Sequence, residues 1–134
     1  MAASRAYREL IRLQELAKLR HEMRLADLRA QTAAIEVEDA DLFKMHDRRY
    51  EADAIVPNDI IMKRLETNKA RRARLEETAM AERYGWLKVS RTIETLHRKL
   101  RGLEVALTRA DAAAELDESI SHLLVNKRLD SSLP

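Results

Sequence analysis

The chain has no cysteine, two glycines and two prolines in 134 residues, and only 4% of it is aromatic. Without Cys there is no disulfide framework and no thiolate metal site, which fits a reducing compartment. So little Gly and Pro leaves almost none of the punctuation that short strands and turns require. Scarce aromatic and β-branched side chains leave too little bulk to fill a wide core. No run approaches the roughly 18 apolar residues of a membrane span. Residues Met1 to Arg5 lead straight into a charged segment, without the apolar stretch of a secretory leader. A cytoplasmic protein with no membrane span is therefore expected. An excess of one charge is also missing: 25 Lys and Arg against 23 Asp and Glu leave +2. That balance offers no global basic surplus for nucleic acid.

What is present is a heptad repeat. Stepping alternately by four and three from Ile61 to Leu124 meets 19 positions, all apolar except Asn68, Arg72, Glu82, Asp117 and Ser121. A straight helix drifts off a strict 3.5-residue repeat, so a repeat held this long implies a helix wound against another. The 36% charged and 46% hydrophobic composition, dominated by Ala, Leu, Glu, Arg and Lys, points the same way. The predicted fold is all-α: a long two-helix antiparallel coiled-coil hairpin with a longer C-terminal helix.

Pro57 supplies the break. It forces Val56 out of the helical region, and Asn58 or Asp59 can cap a new helix. One domain over 1–134 is expected: helix one over about 4–52, a connector over 53–59, helix two over about 60–125 and a frayed tail over 126–134. At 1.5 Å per residue the helices would be roughly 70 and 100 Å long. Gly85 and Gly102 interrupt helix two, either as tolerated defects or as points of close backbone approach.

A register in which facing residue numbers sum to 112 sets Trp86 on Ala26, Val89 on Met23, Ile93 on Leu19, Leu96 on Leu16, Ala79 on Ala33 and Leu75 on Val37. It slips by one toward the N-terminus, to Leu100 on Leu13 and Leu103 on Leu10, and it weakens toward the tip, where Asn68 would face Lys44. Charge supports the hairpin. Residues 36–52 carry six acids against three bases, and residues 60–75 carry six bases against one acid.

Two apolar surfaces are left over in this register. Leu28, Ile35 and Leu42 recur every seven residues on helix one and would dock on another chain, unless they are themselves the seam. Residues 108–125 extend past the helix-one partner and keep Leu116, Ile120, Leu123 and Leu124 at helical spacing. A third surface is basic: Arg83, Lys88, Arg91, Arg98, Lys99 and Arg101. Bases exceed acids by five over 83–101 and by two over the facing 11–29, so about seven positive charges remain after pairing. A solvated face, attraction to an acidic protein surface, or nucleic acid can each account for that belt. The near absence of stacking aromatics argues against the last.

Chemistry finds little footing. Glu94 and His97 match one half of a di-iron Glu-x-x-His pair, but the second half is missing and Glu94 follows seam residue Ile93, so it points outward. There is no phosphate loop, nucleophile elbow or zincin motif. No catalytic, cofactor-binding or metal-binding residue is assigned, and the expected protein is not an enzyme.

A cysteine-free chain folding as a two-helix antiparallel coiled coil with a longer second helix resembles the FliJ/YscO group, general components of flagellar and virulence-type type III export machines. The resemblance covers about residues 5–125. It implies a stalk similar to the coiled coil of the rotary ATPase gamma subunit, seated in a hexameric export ATPase and touching the export gate. The overhang would be the inserted end and the basic middle the belt facing the ring. The leading expectation is a stalk or chaperone of such an apparatus. The alternatives are a hairpin that dimerises into a four-helix bundle through Leu28, Ile35 and Leu42, and a nucleic-acid-associated protein using the belt. A marginal, mobile free protein that gains order in complex is expected.

Overall fold

The computed structural model describes residues 2–131, with side chains from 2 to 129. Two helices pack against each other, α1 (Ala2–Asp47) and α2 (Asn58–Ser131), and there are no strands among the described residues. The chain is an all-α helical hairpin. It clusters into two compact units, one holding residues 14–92, the other the start of α1 and α2 from residue 93 onward.

α1 stops at Asp47, five residues short of the sequence expectation. The Arg48 amide donates to both the Lys44 and Met45 carbonyls at 3.2 Å, the mixed pattern of a tightening last turn. Further three-residue turns follow, from the Arg49 amide to the His46 carbonyl and from the Glu51 amide to the Arg48 carbonyl. The Arg49 guanidinium donates to the same His46 carbonyl at 2.8 Å, a second bond to a carbonyl of the last turn. At the start of α2 the Pro57 carbonyl accepts from the Ile60 and Ile61 amides. The Asn58 side chain is drawn elsewhere: its Oδ1 lies 2.6 Å from His46 Nδ1, tying the end of α1 to the start of α2. Asp59 sits in the first turn, where the positive end of the helix dipole favours an acid. Of the expected tail, residues 126–131 belong to α2 and 132–134 lie outside the described residues.

On α2, the strict heptad from Ile61 to Leu107 is buried or half-buried at every position, as its periodicity implies. On α1 the buried frame differs from the one that summing to 112 selects. It reads Ser4, Tyr7, Ile11, Gln14, Lys18, His21, Leu25, Leu28, Thr32, Ile35, Asp39, Leu42, His46 and Arg49, and none of these is exposed. Leu10, Leu13, Leu16, Leu19, Met23 and Val37, assigned to the seam above, are all exposed. Asn68 meets Asp39 and not Lys44, and Trp86 lies beside Lys18 and Glu22 and not on Ala26.

The tip is not the loose end. In the unit of residues 14–92, Ile61 is 1% exposed, Ile35 2% and Asn68 0%, with Leu42 and Asp39 also buried. The reason is polar pairing inside the seam. Asn68 Nδ2 donates to Asp39 Oδ1 at 2.8 Å and to Glu38 Oε1 at 3.2 Å. Arg72 pairs with the other Asp39 oxygen, and Arg64 grips Glu38 with two nitrogens. Buried polar groups with partners hold one register, since a slipped seam would strand them. The other unit buries Ser4, Ile11 and Leu100, and Arg8 pairs with Glu104 at 2.9 Å.

Candidate docking surfaces

The seam carries a second polar layer in the unit of residues 14–92. His21 Nδ1 lies 2.6 Å from Glu82 Oε2, and Arg24 reaches the other carboxylate oxygen at 3.3 Å. Gly85 is what lets the ring in: a Cβ there would stand 2.6 Å from His21 Cε1. The close approach is therefore to the chain's own α1. Gly102 has nothing within 4 Å of such a Cβ. Trp86 Nε1 donates to Glu22 at 3.0 Å and its ring carries the Lys18 ammonium at 5.1 Å.

These contacts set the local titration. Glu38 is held down from 4.5 to about 2, chiefly by the Arg64 hydrogen bonds and then by Asn68. The Glu82 carboxyl is lowered, first by its bond to His21 and then by Arg24. The Arg64 guanidinium is raised by Glu38 in turn. All three belong to ion pairs that join α1 to α2, not to groups converging on a cleft.

The expected outward stripe of Leu28, Ile35 and Leu42 is corrected by its burial. Ile35 and Leu42 are buried and Leu28 is half-buried, so the stripe is the α1 half of the seam. A four-helix bundle closed through it would first have to open the hairpin. Eight apolar residues at a perfect three-four spacing made the rival frame more persuasive by hydropathy alone: Leu16, Leu19, Met23, Ala26, Ala30, Ala33, Val37 and Ala40. All eight are exposed, with Ala33 also at the edge of a groove lined by Leu75 and Ala79 of α2. α2 also shows apolar residues on its outer side, with Met80, Tyr84 and Leu87 exposed.

The overhang is where periodicity placed it. Burial on α2 ends at Leu107, and every residue from Thr108 to Leu129 is exposed, including Leu116, Ile120, Leu123 and Leu124. Arg83, Lys88 and Arg91 are exposed in one unit, Arg98, Lys99 and Arg101 in the other. Arg83 borders a groove of about 330 Å³ with Leu28 and Leu75, and Arg98 and Arg101 line a shallow hollow with Glu94 and His97. Among the described residues no group of three or more His, Cys, Asp or Glu is placed to hold a metal, and no helix is long and apolar enough to cross a membrane.

Sequence reasoning passed over the tip. Tyr50, Ile55, Ile60 and Met62 are exposed there. Phe43, Met62 and Leu65 line a groove of about 740 Å³ rimmed by Lys63 and Lys69. For Tyr50 and Ile55 the nearness of Pro57 was the available signal, because connector residues cannot join either heptad.

Compared with family models, curated proteins and solved structures, the chain matches none.

Proposed function

We propose that the chain is a non-enzymatic helical-hairpin interaction protein that serves as a stalk or chaperone in a flagellar or type III export apparatus, contacting its hexameric ATPase. One observation carries the reading: α2 outlasts its seam by more than twenty residues, 108–129, all exposed and striped with Leu116, Ile120, Leu123 and Leu124. An exposed apolar face of that regularity marks a surface awaiting a partner. A helix that runs on past its seam can enter a pore that a finished bundle could not. Residues 108–125 of the overhang are acidic, with Asp111, Glu115, Asp117 and Glu118 against Arg109, so the surface receiving them would be apolar and basic.

The test is stimulation of a purified export ATPase by the full chain. Leu123→Asp with Leu124→Asp is expected to abolish stimulation while helicity holds, because both side chains are exposed in the free protein. Stimulation that survives the double change would sink insertion of the overhang, and no stimulation by the unaltered chain would sink the stalk reading itself.

A further inference from the structure

The outer face of α1 needs an occupant that is apolar in its centre and basic at its edges. Its heptad stripe, Leu16 to Ala40, is bordered by Glu15, Glu22 and Glu36 on one side and Asp27 and Asp41 on the other. Arg20 and Arg29 are the only bases among these rim positions. A second α1 fits badly. Antiparallel pairing about the middle of the stripe brings Glu36 against Glu15 and Glu22, and parallel pairing brings Glu22 against Asp27 and Glu36 against Asp41. Like charges at coiled-coil rims select against a pairing.

The outer face of α2 has the required chemistry. Ala70, Ala73, Met80, Tyr84 and Leu87 lie on one side of that helix at heptad spacing, opposite the seam, and all are exposed. The rim is mostly basic, with Lys69, Arg74, Arg83 and Lys88 against one acid, Glu76, which falls near Ala34 in the register below. These two faces lie in the same unit but on opposite sides of the hairpin, so one molecule cannot join them.

We infer that the outer face of α1 docks, parallel, on the outer face of α2 in a second copy of this chain, with α1 residue i opposite α2 residue i + 47. In that register Met23 meets Ala70, Ala33 meets Met80, Val37 meets Tyr84 and Ala40 meets Leu87, so large side chains fall on small ones at three of these four layers. Each acid on the α1 rim within the seam meets a base. Glu22 falls near Arg74, Asp27 near Lys69, Glu36 near Lys88 and Asp41 near Arg83. No like-charged pair arises among those positions, a condition neither α1–α1 arrangement meets. The only charge in the joined seam, Glu77, falls opposite Ala30 and beside Arg29. Leu16 and Leu19 extend beyond this contact, level with Lys63 and Glu66.

Parallel α1 and α2 on two antiparallel hairpins means that the 14–92 units of neighbouring copies run in opposite directions. The contact is heterologous, since each copy gives a different face, and it leaves one α1 face and one α2 face open. Such contacts propagate instead of closing as a dimer. The interaction stands apart from the stalk reading, because the overhang contributes nothing to it.

Sedimentation velocity on the full chain over a concentration series is the test. Species beyond the dimer that grow with concentration and shrink from 50 to 500 mM salt are expected. Glu22→Lys with Glu36→Lys should leave a monomer of unchanged helicity, and so should Arg74→Glu with Lys88→Glu. Mixing those two variants should restore assembly, because the reversed rims match each other. The cysteine-free chain allows a direct check of register. Ala33→Cys mixed with Met80→Cys should form a disulfide-linked pair, and Ala33→Cys alone should not. A monomer at every concentration overturns the inference, as does self-linking of Ala33→Cys. Leu123→Asp with Leu124→Asp should leave assembly untouched, so failure here and failure of the stalk reading are told apart.

Discussion

Asn68→Ala should cost this protein far more than its polarity suggests. The residue is wholly buried, and its Nδ2 donates to Asp39 at 2.8 Å and to Glu38 at 3.2 Å. A hydrogen bond to a charged group contributes about 1.5–3 kcal/mol, and the longer bond to the part-exposed Glu38 belongs at or below the low end of that range. Truncation also leaves Asp39, itself buried, with Arg72 as its remaining partner. The expected loss is about 2–3 kcal/mol. At about 4 °C per kcal/mol for a chain of this size, that lowers the melting temperature by about 10 °C. Urea and thermal denaturation followed at 222 nm measure both. A cycle with Asp39→Ala isolates the pair, and the coupling should reach about 1–2 kcal/mol. Replacing both residues by Leu should be neutral or stabilising, at the expense of a unique register. A loss below about 0.5 kcal/mol for Asn68→Ala, or an undiminished loss in the Asp39→Ala background, would refute a register-setting polar layer.

The two glycines should respond in opposite directions. Gly102→Ala meets open space and should stabilise by about 1 kcal/mol, whereas Gly85→Ala drives a methyl into the His21 ring and should destabilise despite the same propensity gain. In a His21→Ala background the penalty at Gly85 should vanish, and an unchanged penalty would show that the ring is not its cause. Acid titration should expose Glu38: with its folded carboxyl held at about 2 against 4.5, its contribution is complete above about pH 4.5 and is lost as pH falls toward 2. Melting of the wild type and Glu38→Gln in parallel should show their stability gap closing across that window, and a gap constant from pH 6 to 2 would contradict it. Glu82→Gln should behave in the same sense, because that carboxyl is also lowered.

How far the fold was legible follows from these layers. On α2 only one frame keeps an apolar heptad, so Ile61 to Leu107 could be read directly. On α1 two frames compete. The one from Leu16 to Ala40 is apolar at all eight positions, whereas the true one includes Lys18, His21, Thr32 and Asp39. Hydropathy favours the wrong frame because it ranks residues one at a time. The deciding signal is pairwise: the polar seam residues of α2, Asn68, Arg72 and Glu82, need polar partners, and only the frame with Asp39 and His21 supplies them. Matching seam polar to seam polar would have found the register. The overhang was legible because its periodicity outlasts α1 under either choice. The tip was not, because residues 50–56 belong to neither repeat.

The order in which these contacts can form is written in their separations along the chain. His46 and Asn58 are twelve residues apart, Asp39 and Asn68 twenty-nine, His21 and Glu82 sixty-one, and Arg8 and Glu104 ninety-six. Closing the longest of these first would enclose three doublings more chain than closing the shortest, about 2 kcal/mol of additional loop entropy. Zipping from the connector avoids that, since each layer becomes local once the layer before it has formed. The Asp39–Asn68 layer is met early on that route. A chain that starts in the rival frame arrives there with Asn68 unpaired and can still back out cheaply. The buried amide thus acts during folding as a checkpoint, tested while only the first few turns on either side of the connector are committed.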